Sequence, residues 1–141
     1  ETASIVHGDF RLDNMIYKNN EVIGVLDWEL STLGHPVADF SYHCLTWRTE
    51  PVFYDYPKLK ELGVPNEIEY RDMYSEATGQ DLSANWEYYM AFNIFKVAAI
   101  CQGILGRVRD GTAANKHAEE RGLKVYPLSD GAWSIVENNF K

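Results

Sequence analysis

His7-Gly8-Asp9-Phe10-Arg11-Leu12-Asp13-Asn14, followed by Val22-Ile23-Gly24-Val25-Leu26-Asp27-Trp28-Glu29, is the stretch whose reading decides the fold. Asn14 stands five residues after Asp9, and Asp27 closes an apolar run. Asp9 can accept the proton of an attacking hydroxyl, and Asn14 and Asp27 can offer hard oxygen ligands to magnesium. These are the groups that phosphoryl transfer needs, in the order it needs them.

Working outward, Met15 to Tyr17 and Val22 to Leu26 read as two strands joined by Lys18-Asn19-Asn20-Glu21. Asparagines at that turn signal a hairpin. Folding it brings Asn14, before the first strand, beside Asp27, after the second. Ser4 to Val6 reads as a short strand leading into the loop. Pro36 suits the first turn of a helix running to about Trp47. Thr49 to Gly63 reads as irregular, with Pro51 and Pro57. Pro65-Asn66 opens a helix ending near Gly79. Ser83 can cap another from Ala84 to Arg107, apolar on nearly all sides and expected to be the core helix. Residues 112–121 form a weaker helical pattern, and Ser129 or Asp130 could cap a last helix through Asn138. The fold class is α+β, mainly helical, with about five helices.

The catalytic loop and Asp27 resemble the aminoglycoside phosphotransferase family, the small-molecule branch of the protein-kinase-like fold. Leu33-Gly34-His35-Pro36-Val37-Ala38-Asp39-Phe40 is similar to that family's continuation. Asp27-Trp28-Glu29-Leu30-Ser31-Thr32-Leu33-Gly34 and Ala98-Ala99-Ile100-Cys101-Gln102-Gly103 resemble the phosphotransferase-like domains that some proteins carry ahead of an acyl-CoA dehydrogenase. The resemblance covers Ile5 to about Trp133. It implies a C-terminal lobe of a kinase-like fold, with ATP or GTP as donor, Mg2+ as cofactor, and a small hydroxylated molecule as acceptor. A hydroxy acid or hydroxyacyl compound is the implied acceptor, and fusion to an acyl-CoA dehydrogenase the implied setting. A kinase-like N-terminal lobe carries a phosphate-covering loop and a strand lysine. Here the catalytic loop starts at His7, so the expectation is a fragment without that lobe, inactive alone, with an apolar docking surface near Ile5, Met15 and Val25.

Asp9 is the expected base, and Asn14 and Asp27 the metal and nucleotide ligands. Asp27 ends a hydrophobic strand, where burial would raise its pKa unless a cation compensated. Glu29 is either a ligand to a second metal or its water, or a solvent-facing carboxylate. His7 reads as a support of the loop, with Asp39 as its partner, rather than a proton carrier. Arg11 either approaches the transferred phosphate or forms a surface salt bridge. Asp13 reads as solvated, and His35, His43 and His117 as surface or helix-face residues. Asn93, Lys96, Gly103 and Arg107 form a narrow stripe on the long helix, either solvated or an acceptor wall, and the solvated reading is preferred for Lys96. Gln102 stays open.

The chain has 141 residues, enough for one domain with a real core, and a net charge of −8. That balance argues against a nucleic-acid or anionic-membrane surface, and would suit a cationic acceptor better than an acyl-CoA. Cys44 and Cys101 are the only cysteines, each in an apolar context, which predicts two buried thiols and a reducing, cytoplasmic setting. Met90 to Leu105 is interrupted by Asn93, Lys96 and Gln102, and reads as too polar to span a bilayer. The rival to an enzyme is a non-catalytic kinase-like module kept for binding. Intact Asp9, Asn14 and Asp27 weigh against it.

Overall fold

The computed structural model describes residues 3–49 and 56–140. The chain divides into two compact units, one ending at Cys44 and the other starting at Leu45.

In the first unit, β2 (Met15–Lys18) and β3 (Glu21–Val25) form the expected hairpin. Asn19 and Asn20 both take positive φ, 52° and 64°, the left-handed pair that a two-residue turn requires. Asparagine enters that region at lower cost than most side chains. Met15 lies opposite Val25 and Lys18 opposite Glu21, with an irregularity between Ile16 and Tyr17. β1 (Ser4–Val6) pairs antiparallel with β4 (Thr32–Gly34), Val6 facing Thr32. A three-residue strand is too short to show a period of two, so β4 left no signature in the sequence. α1 (Pro36–His43) follows, with Pro36 in its first turn. It ends four residues before Trp47, and the chain continues as a 3-10 turn over Cys44–Trp47. His35 is the N-cap of α1, its Nδ1 accepting the Val37 N–H at 3.3 Å, and not a plain surface histidine.

The second unit is helical: α2 (Tyr56–Glu61), α3 (Glu67–Thr78), α4 (Trp86–Arg109), α5 (Ala118–Leu123) and α6 (Val125–Asn139). α2 occupies part of the stretch read as irregular, with Pro57 in its first turn, where a missing N–H costs nothing. Pro51 lies outside the described residues. In α3, Asn66 and Glu69 form a reciprocal capping box, and Gly79 closes the helix at φ +70°. Ser83 does not cap α4. Asn85 holds that position without a side-chain bond, and the Ser83 N–H instead donates to Asp81. The helix expected over 112–121 starts only at Ala118, because Asn115 makes a turn first, its Oδ1 accepting the His117 N–H at 2.8 Å. α6 starts four residues before Ser129, since Pro127 is tolerated within a first turn.

α4 packs against α5 and α6. Its Trp86, Met90, Ile94, Ala98 and Cys101 are buried, and Leu128 and Ala132 of α6 complete the core. The length and mean hydropathy of α4 would also fit a membrane span. Asn93 is buried, so it does not belong to a solvated stripe, whereas Gln102 and Arg107 are exposed. Tyr88, Phe92 and Phe95 line an apolar groove of about 670 Å3 with Trp133, Val136 and Phe140. Cys44 and Cys101 are free, buried thiols, and burial pushes Cys101 up from its ordinary pKa.

Arg48 ties α3 to α4. Its guanidinium donates to Glu67 at 2.7 Å and to Glu87 at 2.9 Å. Trp86 Nε1 donates to the same Glu67 at 2.7 Å. Burial pushes the Glu67 carboxyl up, but the bonds from Arg48 and Trp86 outweigh it and hold the pKa below its usual range. Arg48 is held firmly charged in return.

Candidate functional site

His7, Asp9, Arg11, Asn14, Asp27, Glu29 and Asp39 all fall in the first unit. The loop from His7 to Asn14 is held by α1. Asp39 accepts the backbone N–H of His7 with one carboxylate oxygen and that of Gly8, at 2.7 Å, with the other. Gly8 has φ +85°, and a Cβ there would stand 2.6 Å from the Leu30 carbonyl oxygen. Only glycine meets both conditions. Asp39 is half-buried, with both oxygens engaged.

His7 is buried. Its Nδ1 accepts the Asp9 N–H at 3.2 Å, so the proton sits on Nε2, 2.7 Å from the Leu26 carbonyl. Trp28 lies over the ring at 4.8 Å and donates its own N–H to Val25 at 2.9 Å. With both ring nitrogens committed to backbone, His7 fastens the His7–Asn14 loop to the end of β3.

Asp9 projects its carboxylate between two hydrogen-bond donors and one cation. The Tyr42 hydroxyl donates to Oδ1 at 2.9 Å, and Asn14 Nδ2 donates to Oδ2 at 3.0 Å. Arg11 Nε stands 3.4 Å from Oδ2. Arg11 thus forms an ion pair with Asp9 itself and remains half exposed. Asn14 Nδ2 also reaches the Asp9 carbonyl at 2.9 Å. Two acceptors fix the amide nitrogen toward Asp9 and turn Asn14 Oδ1 away from it.

Asn14 and Asp27 are neighbours through the backbone, because the Leu26 N–H donates to the Asn14 carbonyl at 2.8 Å. Asp27 is a non-glycine residue in the left-handed region, φ 64°, and its carboxylate caps no helix N–H. It is exposed, contrary to the buried carboxylate expected. It follows β3 of a two-stranded ribbon, whose Val22 and Ile23 are exposed as well. Glu29 and Asp13 are also exposed. No cluster of three or more His, Cys, Asp and Glu side chains that could hold a metal occurs among the described residues. The oxygens on offer are Asn14 Oδ1 and the Asp27 carboxylate, hard donors of the kind that magnesium takes together with phosphate oxygens.

Three residues of this site escaped the sequence. Trp28 and Phe10 flank His7, and Phe10 also packs on His43 at 5.5 Å. His43 is accordingly a half-buried residue on the face of α1, and burial lowers its pKa against an opposing hydrogen bond with the Phe10 backbone. The third is Tyr42, three residues after Asp39 on α1. That spacing puts both on one helix face, a signal the sequence did carry.

The family model described as the phosphotransferase enzyme family matches residues 1–92. The chain belongs to that family. A crystal structure from Ralstonia eutropha, described provisionally as an aminoglycoside phosphotransferase, superposes with a TM-score of 0.84 at 42% identity. The match covers 96% of this chain and 43% of that one. Mouse acyl-CoA dehydrogenase family member 10 is 41% identical over 96% of the chain, and human family member 11 is 33% identical over 97%. The chain spans 13% and 18% of those two proteins. The fold is therefore that of the kinase-like phosphotransferases, and the family's match to residues 1–92 takes in the whole loop, hairpin and α1 site.

Proposed function

We propose that this chain is the C-terminal lobe of an ATP-dependent phosphotransferase that moves the γ-phosphoryl group to a hydroxyl of a small molecule. The arrangement of Asp9 carries the reading. Its carboxylate is steered from both sides by Tyr42 and Asn14, while Asn14 Oδ1 and Asp27 remain available at the same end of the hairpin. Asp9 orients the acceptor hydroxyl and takes its proton. Asn14 and Asp27 would hold Mg2+, which supplies neutralisation of the phosphate charge. His7 and Asp39 keep the loop rigid, so that positioning contributes to the rate. Arg11 is engaged by Asp9 in an ion pair, and Glu29 is left as a ligand for a metal-bound water.

The acyl-CoA dehydrogenase relatives support a hydroxy acid or hydroxyacyl acceptor, joined in one protein to the enzyme that uses it. Two free thiols support a reducing, cytoplasmic compartment. Ile5 and Leu33, exposed cross-strand partners, give the rest of a kinase-like fold an apolar surface to dock on. Met15 and Val25, expected to share that surface, are only partly exposed.

The test is phosphoryl transfer by the full-length protein from Mg-ATP, with Mg-GTP in parallel, to short-chain hydroxy acids and their CoA thioesters. Transfer to at least one, abolished by Asp9→Asn, is the expected result. Absence of both transfer and Mg-nucleotide binding would sink the reading.

A further inference from the structure

We propose that Tyr42 is a positioning residue that makes Oδ1 of Asp9 the proton-accepting atom of the reaction. The inference rests on the reading of Asp9 as base, and goes beyond it by naming the atom and the residue that selects it. A carboxylate has about four acceptor sites, two on each oxygen. Oδ2 accepts from Asn14 Nδ2 at 3.0 Å and forms an ion pair with Arg11 Nε at 3.4 Å. Oδ1 accepts from the Tyr42 hydroxyl at 2.9 Å. Oδ2 thus carries the Asn14 hydrogen bond and faces the Arg11 charge, whereas Oδ1 takes only the Tyr42 hydroxyl and is the oxygen left more open to an incoming hydroxyl.

Rotation of a carboxylate about its last torsion is soft. With Asn14 alone, Asp9 could turn and present either oxygen. The donors on opposite oxygens, one from the loop and one from α1, remove that freedom. Tyr42 comes from the helix whose Asp39 already holds the His7 and Gly8 amides. One face of α1 thus sets both the loop backbone and the orientation of its carboxylate. In the step so directed, the acceptor O–H proton passes to Asp9 Oδ1. The acceptor oxygen bonds to the γ-phosphorus as the bond from that phosphorus to the bridging oxygen breaks, its electron pair leaving with ADP.

The experiment uses the full-length protein with Mg-ATP and water as the acceptor, following phosphate release. Tyr42→Phe keeps the ring and removes the donor. Turnover should fall about tenfold, since misorientation of one reacting group is felt in kcat. KM for Mg-ATP should stay unchanged. Replacing Tyr42 by 3-fluorotyrosine, which restores the O–H, should restore turnover. In an Asp9→Asn background, Tyr42→Phe should have no further effect, because it acts through Asp9. If Tyr42→Phe turns over like the parent while Asp9→Asn is dead, the Tyr42 inference is overturned and the base survives. Equal loss with phenylalanine and 3-fluorotyrosine overturns it too, since ring packing would then be the cause. Full turnover in Asp9→Asn removes the base itself. Should Tyr42→Phe not fold, the ratio of 3-fluorotyrosine to 3,5-difluorotyrosine turnover decides: a dependence on phenol acidity supports the inference, and none overturns it.

Discussion

Asp39 grips Gly8 through a 2.7 Å hydrogen bond to the backbone N–H, and its second oxygen takes the N–H of the residue before. An aspartate with two acceptor oxygens can satisfy two successive amides. An asparagine can satisfy only one, and turns its NH2 toward the other. Asp39→Asn should therefore cost about 1–3 kcal/mol of stability through an unsatisfied, part-buried donor. It should also lower phosphotransfer beyond the loss in folded protein. Urea denaturation alongside turnover per folded molecule checks both. Parent-like values for each would show that the loop is held by other means.

Acid should weaken the fold in two stages. Burial lowers the pKa of His43 from its ordinary 6.5, so the unfolded chain takes up the proton first. That contribution is complete above 6.5 and is lost as pH falls below it. Glu67 is also lowered, from 4.5, so its contribution is complete above 4.5 and is lost below. Urea midpoints across the acid range should show both declines. His43→Gln should remove the upper one. Arg48→Gln should remove the lower one, because the main donor that opposes burial at Glu67 is gone. Unchanged slopes in both variants would dismiss these assignments.

The hairpin and the order of its chemical groups were legible because they are local. Asn19 and Asn20 announce the turn, and the turn alone brings Asn14 beside Asp27. The helix ends with capping chemistry were equally readable, as at Asn66 and Gly79. Burial was not. The apolar run before Asp27 looks like a core strand, yet β3 lies in a two-stranded ribbon with Val22 and Ile23 exposed. Asn93 looks like part of a polar stripe, yet it is buried. Both depend on what packs over a face, which no local pattern encodes. Tyr42 shares a helix face with Asp39, but that spacing does not say what the face meets. The Tyr42 contact with Asp9 spans 33 residues and joins two elements.

Gly122 of α5 lies against Leu105 of α4 so closely that a Cβ would stand 2.6 Å from Leu105 Cγ and 3.1 Å from its backbone nitrogen. Alanine normally favours a helix over glycine by about 1 kcal/mol. Here overpacking should outweigh that gain and leave Gly122→Ala less stable by about 1–2 kcal/mol. Trimming the neighbour with Leu105→Ala should make the glycine substitution neutral or favourable. A double-mutant cycle read by thermal unfolding tests this coupling. Additive effects would mean that the Leu105 side chain is not what opposes a Cβ at residue 122.

Metal–nucleotide binding gives the last prediction. The chain offers magnesium two hard oxygens, Asn14 Oδ1 and the exposed Asp27 carboxylate, and such a site is completed by phosphate oxygens and water. It contains no G-x-G-x-x-G run to cover those phosphates. Two ligands on an open ribbon give little pre-organisation, so the 141-residue polypeptide should bind Mg-ATP only weakly, with Kd on the order of 1 mM. Asp27→Asn should abolish even that, because it removes the anionic ligand. Asp9→Asn should leave it intact, because Asp9 serves the acceptor. Isothermal titration of the three polypeptides separates these outcomes. Micromolar binding by the parent chain would show that this lobe alone suffices for the nucleotide. Equal affinity in Asp27→Asn would take the metal role away from Asp27.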